Sequence, residues 1–300
     1  MKKPLYSYIF SLAIMFLVIA VYPSDLMLWL GAVVFATMCF LSITPVMLVS
    51  TVLAFSTFTL IASDMIYGFL TALCFVLPGM AVGFGLRKQR SYSQIVVYGS
   101  IAALIANLIR LYYGANSESM TIVQYIIDMN SEVASLMTTG LKGIENYSDA
   151  VNELIKMFTP AMLMVQALAF GFFTFVGTRK MIERGPIRIV GTRFHELSAG
   201  RVQTIISLAV ILFAFATGGT LKIIFMNATV VIAVIYALLG MSATMRLLMR
   251  TKIDSAVLRW FILIVLCLIL SYIGYAIVGI LSSLFGRRVD KNEGSTFEGR

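Results

Sequence analysis

The chain has 300 residues, of which 60% are hydrophobic and only 12% charged, with a mean hydropathy of +0.94. Soluble domains carry about a quarter charged residues, so this composition excludes one and points to a polytopic membrane protein. The net charge of +9 lies in short stretches between apolar runs, which is the distribution that membrane orientation imposes and argues against a nucleic-acid partner.

A spanning helix needs about 20 apolar residues to cross roughly 30 Å of hydrocarbon. Nine runs approach that length, at 5–22, 26–42, 46–63, 66–86, 94–113, 161–178, 203–219, 223–249 and 258–285. The first follows Lys2 and Lys3 as a signal peptide would, but "VIAVYPSDL" has no small-residue cleavage site and another span follows at once. The runs are continuous rather than alternating, so helices and not a β-barrel are expected. The expected fold is therefore all-α, a polytopic transmembrane bundle of eight or nine spans forming one domain over 1–285. The remainder, 286–300, has no apolar period and reads as a disordered tail. Cys39, Cys74 and Cys267 all fall inside apolar runs and read as small buried hydrophobes.

Lys2, Lys3, "RKQR" at 87–90, the basic loop 179–202, and Arg246, Arg250, Lys252 and Arg259 share one side if every run spans, and that side reads as cytoplasmic. The expected location is a bacterial inner membrane with the N-terminus in the cytoplasm. The opposite side receives the segment 114–160, whose Glu118, Asp128, Glu132, Glu145, Asp149 and Glu153 outnumber its lysines. Strict alternation over nine spans would put Arg287, Arg288 and Lys291 on the wrong side. Either the last run folds back or one earlier run does not span.

Within 114–160, Ile122, Ile126, Met129, Val133 and Leu136 recur at helical spacing, and Val151, Leu154, Ile155 and Phe158 do so again after Ser148. Two amphipathic helices are expected across the outer mouth of the bundle, with Pro160 in the first turn of the next span.

Little in the chain suggests an enzyme, and no cofactor is expected. The single histidine, His195, has Glu196 beside it but no second His or Cys nearby, so no metal site is expected. Gly79, Gly83 and Gly85, the last paired with Ala81, have the four-residue spacing that lets helices approach closely. Arg110 interrupts the fifth run. It reads either as an anchor snorkelling to water, or as a pocket residue with Asn107 one turn earlier and Tyr113 one turn later. Lys222 and Asn227 begin the eighth run on the same side, and Gln166 reads as buried in the sixth. The basic loop, through Arg188 and Arg193, could dock a cytoplasmic protein partner, although orientation charge explains its arginines almost as well.

The order of "ITPVML", "PGMAVGFGLRKQRSYS", "LIKMFTPAMLM", "TRKMIERGPIRIVGTRFHELS" and "FMNATVVIAVIYALLGMSATMRLLMR" resembles the YybS-like family of bacterial membrane proteins over nearly the whole chain. It departs after Phe194, where "HELSAG" replaces the family's usual tryptophan and proline. The resemblance implies a core similar to the substrate-binding S subunits of energy-coupling-factor importers, which hold a vitamin or metal near the outer face. It also implies coupling through small residues such as Ser7 and Ser11. The expected role is a solute-binding or transport-associated subunit taking a small molecule at Asn107, Arg110, Lys222 and Asn227. The alternative is a scaffold that recruits proteins through its basic loop.

Overall fold

Lipid offers a peptide group no hydrogen-bond partner, which favours structures that satisfy their own backbone. The computed structural model describes residues 25–41, 65–129, 147–183, 194, 197–251, 253 and 255–285, and among these there is helix and no strand. The helices are α1 (Asp25–Leu41), α2 (Met65–Arg87), α3 (Tyr92–Ser117), α4 (Tyr147–Glu183), α5 (Arg201–Ala216), α6 (Gly219–Arg250) and α7 (Ala256–Phe285), with a further helical segment over 122–129.

Four stretches are long and apolar enough to cross a bilayer: α2, α3, α6 and the Asn152–Glu183 part of α4. The described residues therefore carry four candidate spans against the expected eight or nine. The expected runs 5–22 and 46–63 lie outside the described residues. α5, with 16 residues, reaches only about 24 Å at 1.5 Å per residue, short of a full crossing, and the described part of α1 covers 17 residues.

The chain divides into two compact units, Met1–Thr192 and Arg193–Arg300, where the sequence reading runs one domain to 285. In the first unit α1 is apolar all round, and residues 31–39 are all buried, as such a helix requires. Gly79 and Gly83 of α2 lie against it; a Cβ on Gly83 would meet the Ala36 carbonyl oxygen and Cys39 Cβ, each at 2.6 Å. The matches Gly79 to Ala32 and Gly83 to Cys39 make α1 and α2 parallel.

α3 starts with a capping box, in which the Gln94 amide donates to Ser91 Oγ and the Ser91 amide donates to Gln94 Oε1. It returns antiparallel to α2, with Gly85 on Ile95 and Gly99 on Val82. α4 is antiparallel to α3. Tyr92 meets Phe175 edge-on at 4.4 Å, and Gly171 lies so close to Ser100 that a Cβ would reach its amide nitrogen at 2.6 Å. α4 is also parallel to α1, since the Val33 carbonyl accepts from the Thr178 hydroxyl and Thr37 Oγ1 lies 3.8 Å from Met181 Sδ. These directions gather Arg87, Lys88, Arg90, Arg179 and Lys180 at one end of the unit and Glu118, Asp128 and Glu153 at the other.

α4 corrects the expectation of a separate amphipathic helix ahead of the sixth span. The helix begins at Tyr147 and runs for 37 residues straight through Pro160, which lies in its interior rather than its first turn. Pro160 leaves the Lys156 carbonyl without its usual N–H donor. The buried Thr159 beside it donates its hydroxyl to the Ile155 carbonyl at 2.6 Å.

In the second unit α5 and α6 form an antiparallel pair, with Phe213 stacked on Phe225 at 5.6 Å and the Tyr236 hydroxyl 3.4 Å from Ser207 Oγ. Ser242 Oγ, inside α6, is shared between the Phe194 and Leu197 carbonyl oxygens at 2.8 and 3.1 Å and ties down the entry to the unit.

α7 is not one straight helix. Ser271 has φ 55 and ψ 175, so the regular backbone breaks there into two halves. The Tyr275 hydroxyl donates to the Leu263 carbonyl at 3.1 Å, although a straight helix would separate those residues by about 18 Å. The chain has therefore folded back. The second half crosses α6 where Gly240 and Gly279 meet: a Cβ on Gly240 would strike the Tyr275 carbonyl oxygen, and one on Gly279 the Tyr236 carbonyl oxygen. Further along, Arg246 Nη2 donates to Ser282 Oγ at 3.2 Å. α7 thus leaves from the end of α6 that carries Arg250 and returns to that same end.

This fold-back makes a topological prediction. In a background lacking the native cysteines, Thr251→Cys and Phe285→Cys should react with an impermeant maleimide from one side of the membrane, and Lys222→Cys from the other. Labelling of Phe285→Cys from the Lys222 side would show that α7 crosses instead of returning.

Candidate functional site

The acidic end of the first unit holds a linked set of polar side chains. α3 extends to Ser117, beyond the expected end of the fifth run, so Arg110 lies about two turns inside the helix rather than one. Asn107 and Arg110, three residues apart, share a face, and Arg110 Nη2 donates to Asn107 Oδ1 at 3.3 Å. Asn107 Nδ2 in turn donates to Gln166 Oε1 on α4, also at 3.3 Å. A guanidinium can only donate, so Asn107 must present its oxygen to Arg110 and its NH₂ to Gln166. The chain of bonds couples α3 to α4 and holds a half-buried positive charge beside two amides. Gln166 itself is exposed, which corrects the expectation that it is buried: it sits on the flank of α4, where only its amide oxygen turns toward α3.

Against the same end of α3 lies the 122–129 segment. It opens with its own capping box, the Thr121 amide donating to Gln124 Oε1 and the Gln124 amide donating to Thr121 Oγ1. Tyr125 of this segment rests on Gly114 of α3, where a Cβ would meet the phenol oxygen at 2.6 Å. A side chain there would push the ring away. Burial pushes the Tyr125 phenol above its ordinary pKa, Tyr67 and Glu118 add to the rise, and Arg110 opposes it. Tyr125 is thus within electrostatic reach of Arg110.

Beside the segment is an open cleft of about 470 Å³, lined by Ser119, Met120, Gln124, Ile127, Asp128, Asn152 and Lys156. One wall comes from 119–128 and the other from the first turns of α4. The sequence reading missed Gln124, Asp128, Asn152 and Lys156. Each pair has four-residue spacing and so shares a face, but spacing alone does not say which two faces meet.

Of the other expected residues, Gly79 and Gly83 lie on α1 and Gly85 on Ile95. Lys222 is exposed in the first turn of α6, in the second unit, and Asn227 donates to the Ile223 carbonyl of its own helix at 2.9 Å. Arg188, Arg193, His195, Glu196, Ser7 and Ser11 lie outside the described residues. Among the described residues no group of three His, Cys, Asp or Glu side chains could hold a metal ion.

A protein-family model described as a predicted membrane protein, DUF2232, matches residues 8–283. No curated protein and no solved structure matches the chain.

The Arg110 to Tyr125 coupling can be read by titration. A raised tyrosine pKa means that its contribution to stability is present below the unfolded value of about 10 and is lost as pH rises through the folded value. In Arg110→Gln the opposing charge is gone, so the Tyr125 phenol should ionise at still higher pH. The readout is phenolate absorbance, corrected by subtracting the matching Tyr125→Phe variant. An unchanged or lower midpoint would separate the two residues.

Proposed function

We propose, given that the chain belongs to the DUF2232 family of predicted membrane proteins, that it is a solute-binding or transport-associated subunit whose ligand site lies at the acidic end of its first unit. The observation that carries this reading is the hydrogen-bonded set Arg110, Asn107 and Gln166, with Tyr125 seated on Gly114 one turn beyond Arg110. An anchoring arginine needs only a path to water. Here the guanidinium is instead oriented by an amide, the amide is oriented by a second helix, and an aromatic side chain is seated nearby on a glycine.

Arg110 would pair with an anionic group of the ligand, with Asn107 fixing its fork, and the cleft beside Gln124 and Asn152 would take the remainder. The acidic end would face outward and the basic end the cytoplasm of a bacterial inner membrane, following the charge asymmetry of the unit. The parallel run of α1 and α2 puts Leu41 and Met65 at opposite ends of the pair. The likeness to energy-coupling-factor S subunits belongs to the same proposal and rests on motif order.

Native mass spectrometry of gently extracted protein tests it. Wild type should retain a stoichiometric small anionic molecule. Arg110→Ala should lose it, with affinity falling on the order of tenfold to a hundredfold, as for a lost charged hydrogen bond. Arg110→Lys should retain it only weakly, because the fork is gone. Equal retention by all three proteins would overturn the site.

A further inference from the structure

A second pair of arginines stands in the other unit in a different setting. α6 has 32 residues and is about 48 Å long, more than the hydrocarbon thickness, so its ends reach the headgroup region. Its last two turns carry Arg246 and Arg250, four residues apart and on one face. Arg246 is half-buried, and its guanidinium is steadied by Ser282 from the returning half of α7 at 3.2 Å. That bond uses one of five N–H donors.

The surroundings of the pair are apolar and exposed. Leu247 and Met249, between the two arginines in sequence, are 61% and 41% exposed, and Leu258 and Phe261 of α7 are also exposed. A soluble anion would gain nothing from this rim. A phospholipid would use both parts, with acyl chains against the leucines and methionine and the phosphate between the guanidinium groups.

We propose that Arg246 and Arg250, with Ser282 as positioning residue, bind the phosphate of an anionic phospholipid at the foot of the α7 fold-back. The site is independent of the ligand site at Arg110. It requires the return of α7, since Ser282 reaches Arg246 only because the chain has come back to that end of α6.

The test uses the full chain in mild detergent, titrated with phosphatidylglycerol, phosphatidylcholine or inorganic phosphate and read by native mass spectrometry. Wild type should retain phosphatidylglycerol at least about tenfold more strongly than phosphatidylcholine, the scale of one lost charged hydrogen bond. Arg246→Gln and Arg250→Gln should each erase most of that preference, and Ser282→Ala should weaken it less. Arg250 is exposed, so its variant is expected to fold even if Arg246→Gln does not, and thermal melting of each variant checks this. Equal retention of the two lipids, an unchanged preference in Arg250→Gln, or displacement of phosphatidylglycerol by millimolar inorganic phosphate would each overturn the lipid site.

Discussion

Apolar side chains gain little by leaving lipid for one another, so helices in a bilayer are held chiefly where their surfaces can come close. In this protein those places are glycines. Gly83 admits the backbone of α1, Gly171 admits that of α3, and Gly240 and Gly279 bring α6 and α7 into backbone contact. The polar sites are arranged around these contacts. Gly171 on Ser100 sets the approach of α3 to α4 one to two turns from Asn107 and Gln166, and that approach brings the two amides within hydrogen-bond reach.

Glycine contacts also explain how a break in α7 can be tolerated. A non-glycine residue at positive φ costs on the order of 1–3 kcal/mol, and the break removes helical hydrogen bonds as well. The two halves recover contact by packing with α6: Leu263, Tyr275 and Ala276 share one buried cluster with Tyr236 and Ala237, and the Tyr275 hydroxyl finds the Leu263 carbonyl. The fold-back therefore rests on the Gly240 and Gly279 crossing as much as on Ser271 itself.

Much of the helical layout was legible because hydropathy reports length, and length decides what can cross. The fourth, fifth and eighth runs match α2, α3 and α6 within a few residues at each end. The extent of α4 was not legible, because Pro160 was read by its ordinary preference for a first turn while the surrounding structure carries the helix through it. At the site, the shared face of Asn107 and Arg110 followed from three-residue spacing. Their link to Gln166 did not, since it depends on the register between α3 and α4, which Gly99 and Gly171 set and periodicity does not report. Gly240 and Gly279 were missed for a related reason. Each is a single glycine in a strongly apolar run, and only their mutual contact distinguishes them.

The two arginine settings separate two uses of the same charge. Arg110 is oriented by the Asn107 amide of α3, which is itself held by Gln166 of α4. Arg246 is oriented by a single hydroxyl, and its neighbours along α6 are exposed leucine and methionine. Amides on two helices fix the direction of a guanidinium fork, which suits discrimination among small anions by shape. A hydroxyl and an apolar rim fix only depth, which suits a headgroup that arrives with its own hydrocarbon. The sign of the charge is the same in both places; the partners that orient it decide what it can recognise.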